Sequence, residues 1–392
     1  MTVHYLDNSA TTAPSEAAKR AAADAMEFFG NPSSVYSLGV RSRELLESSR
    51  RTVAASLGIR ASGRGQIVFC ASGTEANCLA LLGFDAAKDR LRGSTPPVIL
   101  IGDGEHPSVE HPTDRLARRG YHVVKIPTFG GELDMGVLCE ALTEHRGHIA
   151  LAAFMLVNNE TGAIYDVRRA AAEVRRAAPR ALIHCDAVQA FTKLKFTPWG
   201  LGVDTLTVSA HKINAPRGAA ALFIGSDVLR RQDIAPILPG GGQESGLRSG
   251  TENLCAVAAF AAAAAEASSE FSARRERVSQ LREYLESSIA SLSEVSVKRP
   301  AEALPDIMNI TLPHIKSETM LNFLSERGVY VSAGSACAAS SGHLSPALAA
   351  FGCSRDEIDS SLRVSIAHDT DESDIDALRC GLETGLRTLV RY

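Results

Sequence analysis

The chain has 392 residues, 45% of them hydrophobic and 22% charged, a globular composition that excludes an intrinsically disordered protein. Forty-one basic against 45 acidic side chains leave a net charge of −4, which excludes a chain-wide surface for polyanions. The longest apolar run, 254–265, is too short to span a bilayer, and the first residues lack the basic and apolar regions of a secretory signal. No membrane partner and no direct nucleic-acid partner is expected. Eight cysteines, none spaced as C-x-x-C, are too few for a disulfide scaffold and point to a reducing, cytoplasmic setting. Cys70, Cys78, Cys139, Cys185, Cys255, Cys353 and Cys380 read as small packing residues in apolar or helical contexts.

Strand-length apolar runs at 66–70, 98–101, 123–126, 149–157, 181–185, 205–209 and 219–224 alternate with helical patterns near 75–90, 108–119, 135–145 and 167–178. Pro179 stops the last of these helices. The alternation predicts an α/β fold with a mostly parallel sheet flanked by helices, with ligands at the carboxyl ends of the strands. After residue 250 the pattern changes. One long Ala-, Glu- and Arg-rich helical segment, 253–292, precedes strands at 307–312, 329–332 and 362–366, a helix after Ser317 and a closing helix over 372–390. A smaller α+β C-terminal domain is expected there. The predicted division is 15–260 for the large domain, with 1–14 and 261–392 forming the small one.

Lysine is scarce, eight among the 41 basic residues, and Lys212 stands alone in following a predicted strand directly at its carboxyl end. A partly desolvated amine there loses its charge easily and faces the ligand side of the sheet. Asp186 closes the apolar strand Leu182-Ile183-His184-Cys185-Asp186. A buried strand-end carboxylate needs a cation, and a protonated pyridinium nitrogen is one of few cofactor groups that supply one. Ala71-Ser72-Gly73-Thr74-Glu75-Ala76-Asn77 links a strand to a helix, where small residues let backbone N–H groups approach a phosphate. Lysine, aspartate and phosphate loop together describe a site for pyridoxal 5′-phosphate. No metal is expected, since no further ligands accompany His106 and His111 at a suitable spacing.

Eight ordered motifs then resemble the cysteine desulfurases of the NifS/IscS type, within the class V aminotransferases. They begin with Leu6-Asp7-Asn8-Ser9-Ala10-Thr11-Thr12 and Gly30-Asn31-Pro32-Ser33-Ser34, and include Gly104-Glu105-His106 and Val157-Asn158-Asn159-Glu160-Thr161-Gly162. Ser209-Ala210-His211-Lys212, Arg248-Ser249-Gly250-Thr251, Gly334-Ser335-Ala336-Cys337 and the strand containing Arg363 continue the series. The resemblance implies a fold-type-I pyridoxal phosphate transferase working as a homodimer. It implies that Lys212 holds the cofactor and acts as base, that Asp186 pairs with the ring nitrogen and that Gln189 bonds the ring oxygen. It also implies that His106 stacks on the ring with a proton-transfer role. Gly73, Thr74, Ser209 and His211 would hold the phosphate, with Thr251 supplied by a partner subunit. Asn159 and Arg363 would bind the substrate carboxylate.

Cys337 opens a run of small polar residues, a setting in which a thiol is accessible and reacts as thiolate. In the family this residue takes the sulfur of L-cysteine as a persulfide, releases L-alanine and hands the sulfur to an acceptor protein of iron–sulfur assembly or a thiolation pathway. Two readings stand beside this one. One is a selenocysteine lyase or cysteine sulfinate desulfinase of the same fold; the other is a sulfur-relay partner with vestigial catalysis. Three places differ from the family pattern: Asn214-Ala215, where an aromatic residue and glycine are common, a longer run after Cys337, and a chain that stops at Tyr392 soon after its closing helix. The acceptor is left open.

Overall fold

The structure, a computed structural model, describes residues 2–59, 63–88, 96–334 and 344–390. A short strand β1 (His4–Tyr5) leads into two helices that the hydrophobic pattern did not announce, α1 (Glu16–Ala25) and α2 (Ser37–Ser56). The α/β alternation follows: β2 (Gly65–Cys70), α3 (Gly73–Lys88), β3 (Val98–Gly102), α4 (Pro107–Arg118), β4 (His122–Ile126), α5 (Met135–Glu144), β5 (Ile149–Met155), α6 (Val167–Ala177) and β6 (Leu182–Asp186). Then come a one-turn α7 (Pro198–Leu201), β7 (Thr205–Ser209), β8 (Ala220–Gly225) and a short α8 (Ser226–Arg231).

These strands form one seven-stranded sheet in the order β2-β8-β7-β6-β5-β3-β4. Five neighbours, β7-β6-β5-β3-β4, run parallel, and β8 alone runs against them. The exception has a simple cause. Only residues 210–219 join β7 to β8, and a parallel return needs a crossover of a dozen or more residues. The central strands are buried on both faces, which is why their sequences are apolar without alternation. Helix α6 shows the complementary pattern. It buries Val167, Ala170, Ala171 and Val174 at helical spacing, Asp166 caps its first turn, and Arg175 and Arg176 sit in its last.

The long helical segment of the sequence is two helices, α9 (Leu254–Ser269) and α10 (Phe271–Ala290), meeting at 76°. No proline or glycine lies at the break. Instead the two halves serve different cores: Leu254, Val257 and Phe260 pack under the large sheet, whereas Val278, Leu281, Leu285 and Ile289 join a second cluster with Leu6. That second cluster covers a three-stranded antiparallel sheet ordered β12-β10-β9, from β9 (Ser296–Lys298), β10 (Ile307–Thr311) and β12 (Ser361–Ser365). Helix α11 (Ser317–Ser325) and the closing helix Glu372–Thr388 pack beside it. β1 pairs in parallel with β11 (Val329–Tyr330), so the start of the chain belongs to this second sheet region. Among the described residues no single helix is long and apolar enough to cross a membrane.

Thr192, just beyond the turn that follows β6, has φ of 61°, a left-handed conformation in which a β-branched side chain is strained. Such strain costs ~1–3 kcal/mol, against ~0.5–1 kcal/mol for the extra chain freedom of glycine. Thr192→Gly is therefore expected to stabilise the fold by roughly 1 kcal/mol. Urea unfolding checks this, and a lowered midpoint would mean that the packing of the threonine side chain outweighs its backbone strain.

Candidate functional site

The carboxyl ends of β2, β6 and β7 lie together, since Cys70 and Ser209 both register with Ala220, and Asp186 registers with Thr207. Here Asp186 is buried at the end of β6 and held at two points. Its Oδ1 accepts from the Val188 N–H at 3.0 Å, and its Oδ2 accepts from Asn77 Nδ2 at 2.8 Å. Asn77 on α3 is fully buried; its Nδ2 also donates to Ser108 Oγ at 2.8 Å, and its Oδ1 lies 3.0 Å from His184 Nε2. His184 Nδ1 lies 2.9 Å from Thr205 Oγ1. Burial holds the His184 imidazole neutral, with its pKa lowered to about 4. His106 caps α4, its Nδ1 taking the Ser108 N–H at 3.1 Å and lying 2.7 Å from Ser108 Oγ. Burial lowers its pKa too.

Lys212 stands on the 3₁₀ turn Ala210–Lys212 that continues β7. Its Nζ donates to the Ser9 carbonyl and, at 2.8 Å, to the Ala10 carbonyl, so a strap of N-terminal backbone fixes the amine. Burial first, then the positive Arg363 and Lys193, bring its pKa down to about 7, although Asp7 and Asp186 pull the other way. The same strap carries other contacts. Gln189 Nε2 donates to the Ser9 carbonyl at 3.0 Å, Thr12 N–H donates to the His211 carbonyl at 2.9 Å, and the Asn214 N–H donates to Thr12 Oγ1 at 2.7 Å.

Arg363, on β12, is 2% exposed. Its Nη1 donates to the Asn159 carbonyl at 3.0 Å and its Nη2 to Asp7 Oδ1 at 2.6 Å. Asn159 sits on a turn that its neighbour shapes: Asn158 Oδ1 accepts from the N–H groups of Glu160 and Thr161 at 2.9 and 3.0 Å. Burial raises the pKa of Asp7, and Arg363 offsets part of that rise. On the opposite side, Ser72 Oγ accepts from the Glu75 N–H at 3.1 Å, which opens α3 toward the cavity. A Cβ at Gly73 would lie 3.2 Å from Val188 Cγ2, so glycine here keeps the helix start close to the next strand's loop. His211 is neutral, its pKa lowered to about 4 by burial and by Lys212 and Arg217.

These groups surround one cavity of about 280 Å³. Gly73, Thr74, His106, Asn159, Asp186, Gln189, Ser209, His211, Lys212 and Arg363 all line it, as the sequence led us to expect. Thr251 does not; it is exposed on its own chain. Cys337 lies outside the described residues, but Gly334 and Ser345 on either side of it meet at Glu160. Ser345 Oγ donates to Glu160 Oε2 at 2.6 Å, and a Cβ on Gly334 would come within 3.1 Å of the same oxygen. Sequence reasoning missed Asn77, Ser108, Ser9 and Asp7. Asn77, Ser9 and Asp7 lay in quoted motifs, but nothing in their spacing signalled a bond to Asp186, backbone carbonyls or an arginine partner. Ser9, Gln189 and Ser209 line this cavity, and among the described residues Ser9 Oγ, Gln189 Oε1 and Ser209 Oγ are buried with no hydrogen-bond partner. A polar ligand would satisfy them.

The aminotransferase class-V family model matches residues 4–378. A protein of Archaeoglobus fulgidus named cysteine desulfurase IscS 1 is 31% identical over 354 residues, 90% of this chain and 88% of its own. One of Azotobacter vinelandii named cysteine desulfurase NifS is 32% identical over 378 residues, 95% of this chain and 90% of its own. The solved structure of a NifS-like protein from Rickettsia africae superposes with a TM-score of 0.87 at 29% identity, covering 98% of this chain and 99% of that one.

The Asp7–Arg363 pair makes a direct prediction. Removing one partner of a buried ion pair leaves the other charge uncompensated, at a cost of about 3 kcal/mol. Asp7→Ala is expected to lower stability by about that amount in chemical denaturation. A loss below ~1 kcal/mol, the worth of an exposed pair, would show that Arg363 does not depend on Asp7.

Proposed function

The chain belongs to the aminotransferase class-V family, and from that premise we propose that it is a pyridoxal 5′-phosphate-dependent L-cysteine desulfurase. It converts L-cysteine to L-alanine and passes the sulfur, carried as a persulfide on Cys337, to an acceptor protein of iron–sulfur assembly or thiolation. The observation that carries the reading is the convergence of Lys212, Asp186 and Arg363 on one cavity whose wall holds unpaired polar atoms. The residues fit the cofactor. Lys212 would hold it through its amine, Asp186 would pair with its ring nitrogen, and Gln189 would bond its ring oxygen. Gly73, Thr74, Ser209 and His211 would take its phosphate, with Thr251 of a second copy completing that end in a homodimer. When bound, the cofactor supplies an electron sink for the charge left at the substrate Cα.

The chain's own groups do the rest. Arg363 and Asn159 orient the substrate carboxylate, and a neutral Lys212 amine takes the Cα proton. The Cys337 thiolate attacks the substrate sulfur; the carbon–sulfur bond breaks, Cβ gains a proton, and alanine leaves with one sulfur added to Cys337. Glu160, next to Asn159, accepts from Ser345 beyond that segment and faces Gly334 before it. We further propose the domain division 15–260 against 1–14 with 261–392. It is supported by the turn of the chain at Glu270 and by Leu6 packing with the second core. The seven free cysteines among the described residues suit a reducing cytoplasm.

Two measurements test the reading. With half of the Lys212 amine uncharged near pH 7, covalent attachment of added pyridoxal phosphate, trapped by borohydride, should accelerate about fivefold from pH 6 to 7 and less than twofold from 7 to 8. An ordinary lysine would instead gain about tenfold per unit throughout. Mass spectrometry after treatment with L-cysteine should find ~32 Da, one sulfur, on the Cys337 peptide, and Cys337→Ala should yield almost no alanine. Alanine production at the wild-type rate in that variant would transfer the assignment to a lyase.

A further inference from the structure

We propose that Asn77 and Ser108 are positioning residues that lock His106 in a single tautomer, its proton on Nε2, and tie that choice to Asp186. The inference rests on the reading above for its purpose, orienting an imidazole over a bound ring; the tautomer itself is a property of the folded chain. The hydrogen-bond directions leave no alternative. Asp186 Oδ2 is an acceptor, so the Asn77 group 2.8 Å away must be the amide nitrogen and not its oxygen. That fixes Asn77 Oδ1 toward His184, whose Nε2 at 3.0 Å must therefore carry a proton, leaving His184 Nδ1 to accept from Thr205.

The second Asn77 Nδ2 hydrogen goes to Ser108 Oγ at 2.8 Å. Ser108 Oγ accepts this bond, and its one O–H points to His106 Nδ1 at 2.7 Å, a direction fixed by the backbone donor at that nitrogen. The same nitrogen receives the Ser108 backbone N–H at 3.1 Å. Two donors converge on Nδ1, so it cannot carry a proton in the neutral ring, and the N–H sits on Nε2. The chain Thr205–His184–Asn77–Ser108–His106 is directed from end to end. It lies in the interior: Asn77, His184 and Thr205 are fully buried and Ser108 is 6% exposed. Of the charges bearing on the His106 ring, Asp186 favours protonation, while Lys212 and His111 oppose it.

The consequence is chemical. His106 offers a hydrogen-bond donor at Nε2 in its resting state, not a base, and becomes a cation only by surrendering both bonds accepted at Nδ1, whose single lone pair would take the proton. Histidine-selective ¹⁵N NMR on the full chain, with the cofactor removed and with it bound, reads this directly; His106→Gln assigns the signal. The wild type should show a protonated Nε2 and an unprotonated Nδ1. Ser108→Ala removes the hydroxyl donor and should raise the His106 titration midpoint by roughly one pH unit, the worth of one hydrogen bond to the neutral ring. Ser108→Thr, which keeps the hydroxyl, should restore it. The His184 signals share Asn77 but not Ser108, so they should stay in place in Ser108→Ala, separating a local effect from misfolding. A proton on Nδ1 in the wild type, or a midpoint indifferent to Ser108→Ala, overturns the proposal. Failure of the protein to bind pyridoxal phosphate would count against the functional reading and leave the tautomer result standing.

Discussion

The buried pair between Asp7 and Arg363 joins the two ends of the chain. Arg363 lies on the last strand of the second sheet, and Asp7 follows directly on the first strand of the molecule. With Nη2 on Asp7 and Nη1 on the Asn159 carbonyl, the guanidinium is fixed in plane before any ligand arrives. Among the described residues its Nε has no hydrogen-bond partner, nor do the two polar side-chain atoms of Asn309, the residue opposite it on β10. A pair so deeply buried is a poor source of net stability, because the desolvation of both charges offsets most of their attraction. What it confers is geometry. With Asp7 fixed, the next residues must run along the site, and the Ser9 and Ala10 carbonyls arrive where Lys212 needs partners.

The electrostatics of Lys212 follow from that arrangement. Two carboxylates face the amine, yet its pKa falls, because burial and two other cations outweigh them. Arg363 therefore acts twice, as the partner that holds Asp7 and the Asn159 carbonyl and as a charge that keeps a nearby amine close to neutrality. Any substitution that weakens the Asp7–Arg363 pair also changes the field at Lys212. The effects of the two residues should not be additive, since both lie in one network.

The sheet was readable from sequence because its strands are buried on both faces and appear as unbroken apolar runs, such as Leu182 to Cys185. Lys212 and Asp186 were readable for a related reason: a charge at the end of such a run needs a purpose. Helices α1 and α2 escaped, since their buried faces are built largely from Ala, Ser and Gly, which carry little hydrophobic signal. The break at Glu270 escaped as well, being set by two competing cores and not by a helix-breaking residue. Asn77 and Ser108 sit in helical stretches where polar residues ordinarily mark the solvent face; only the fold shows that theirs points inward.

The placement of these polar residues separates the tasks of the site. Groups on the large sheet, Asp186, Lys212 and the start of α3, surround the side suited to a cofactor; Asp186 is held by the helices and loops of that sheet, and Lys212 by the N-terminal strap. Groups that suit a substrate carboxylate come from the second sheet and from the Asn158–Thr161 turn, through Arg363 and Asn159. The N-terminal strap touches both, bonding Lys212 and Gln189 on one side and Ser365 on the other. Residues 7–12 thus couple amine and guanidinium, beside the direct bond from Arg363 to the Asn159 carbonyl. A change in the strap therefore alters the placement of Lys212 against Arg363. The motif at the start of the chain thus positions Lys212 and Arg363, and it adds to the cavity lining Ser9, whose Oγ has no hydrogen-bond partner among the described residues.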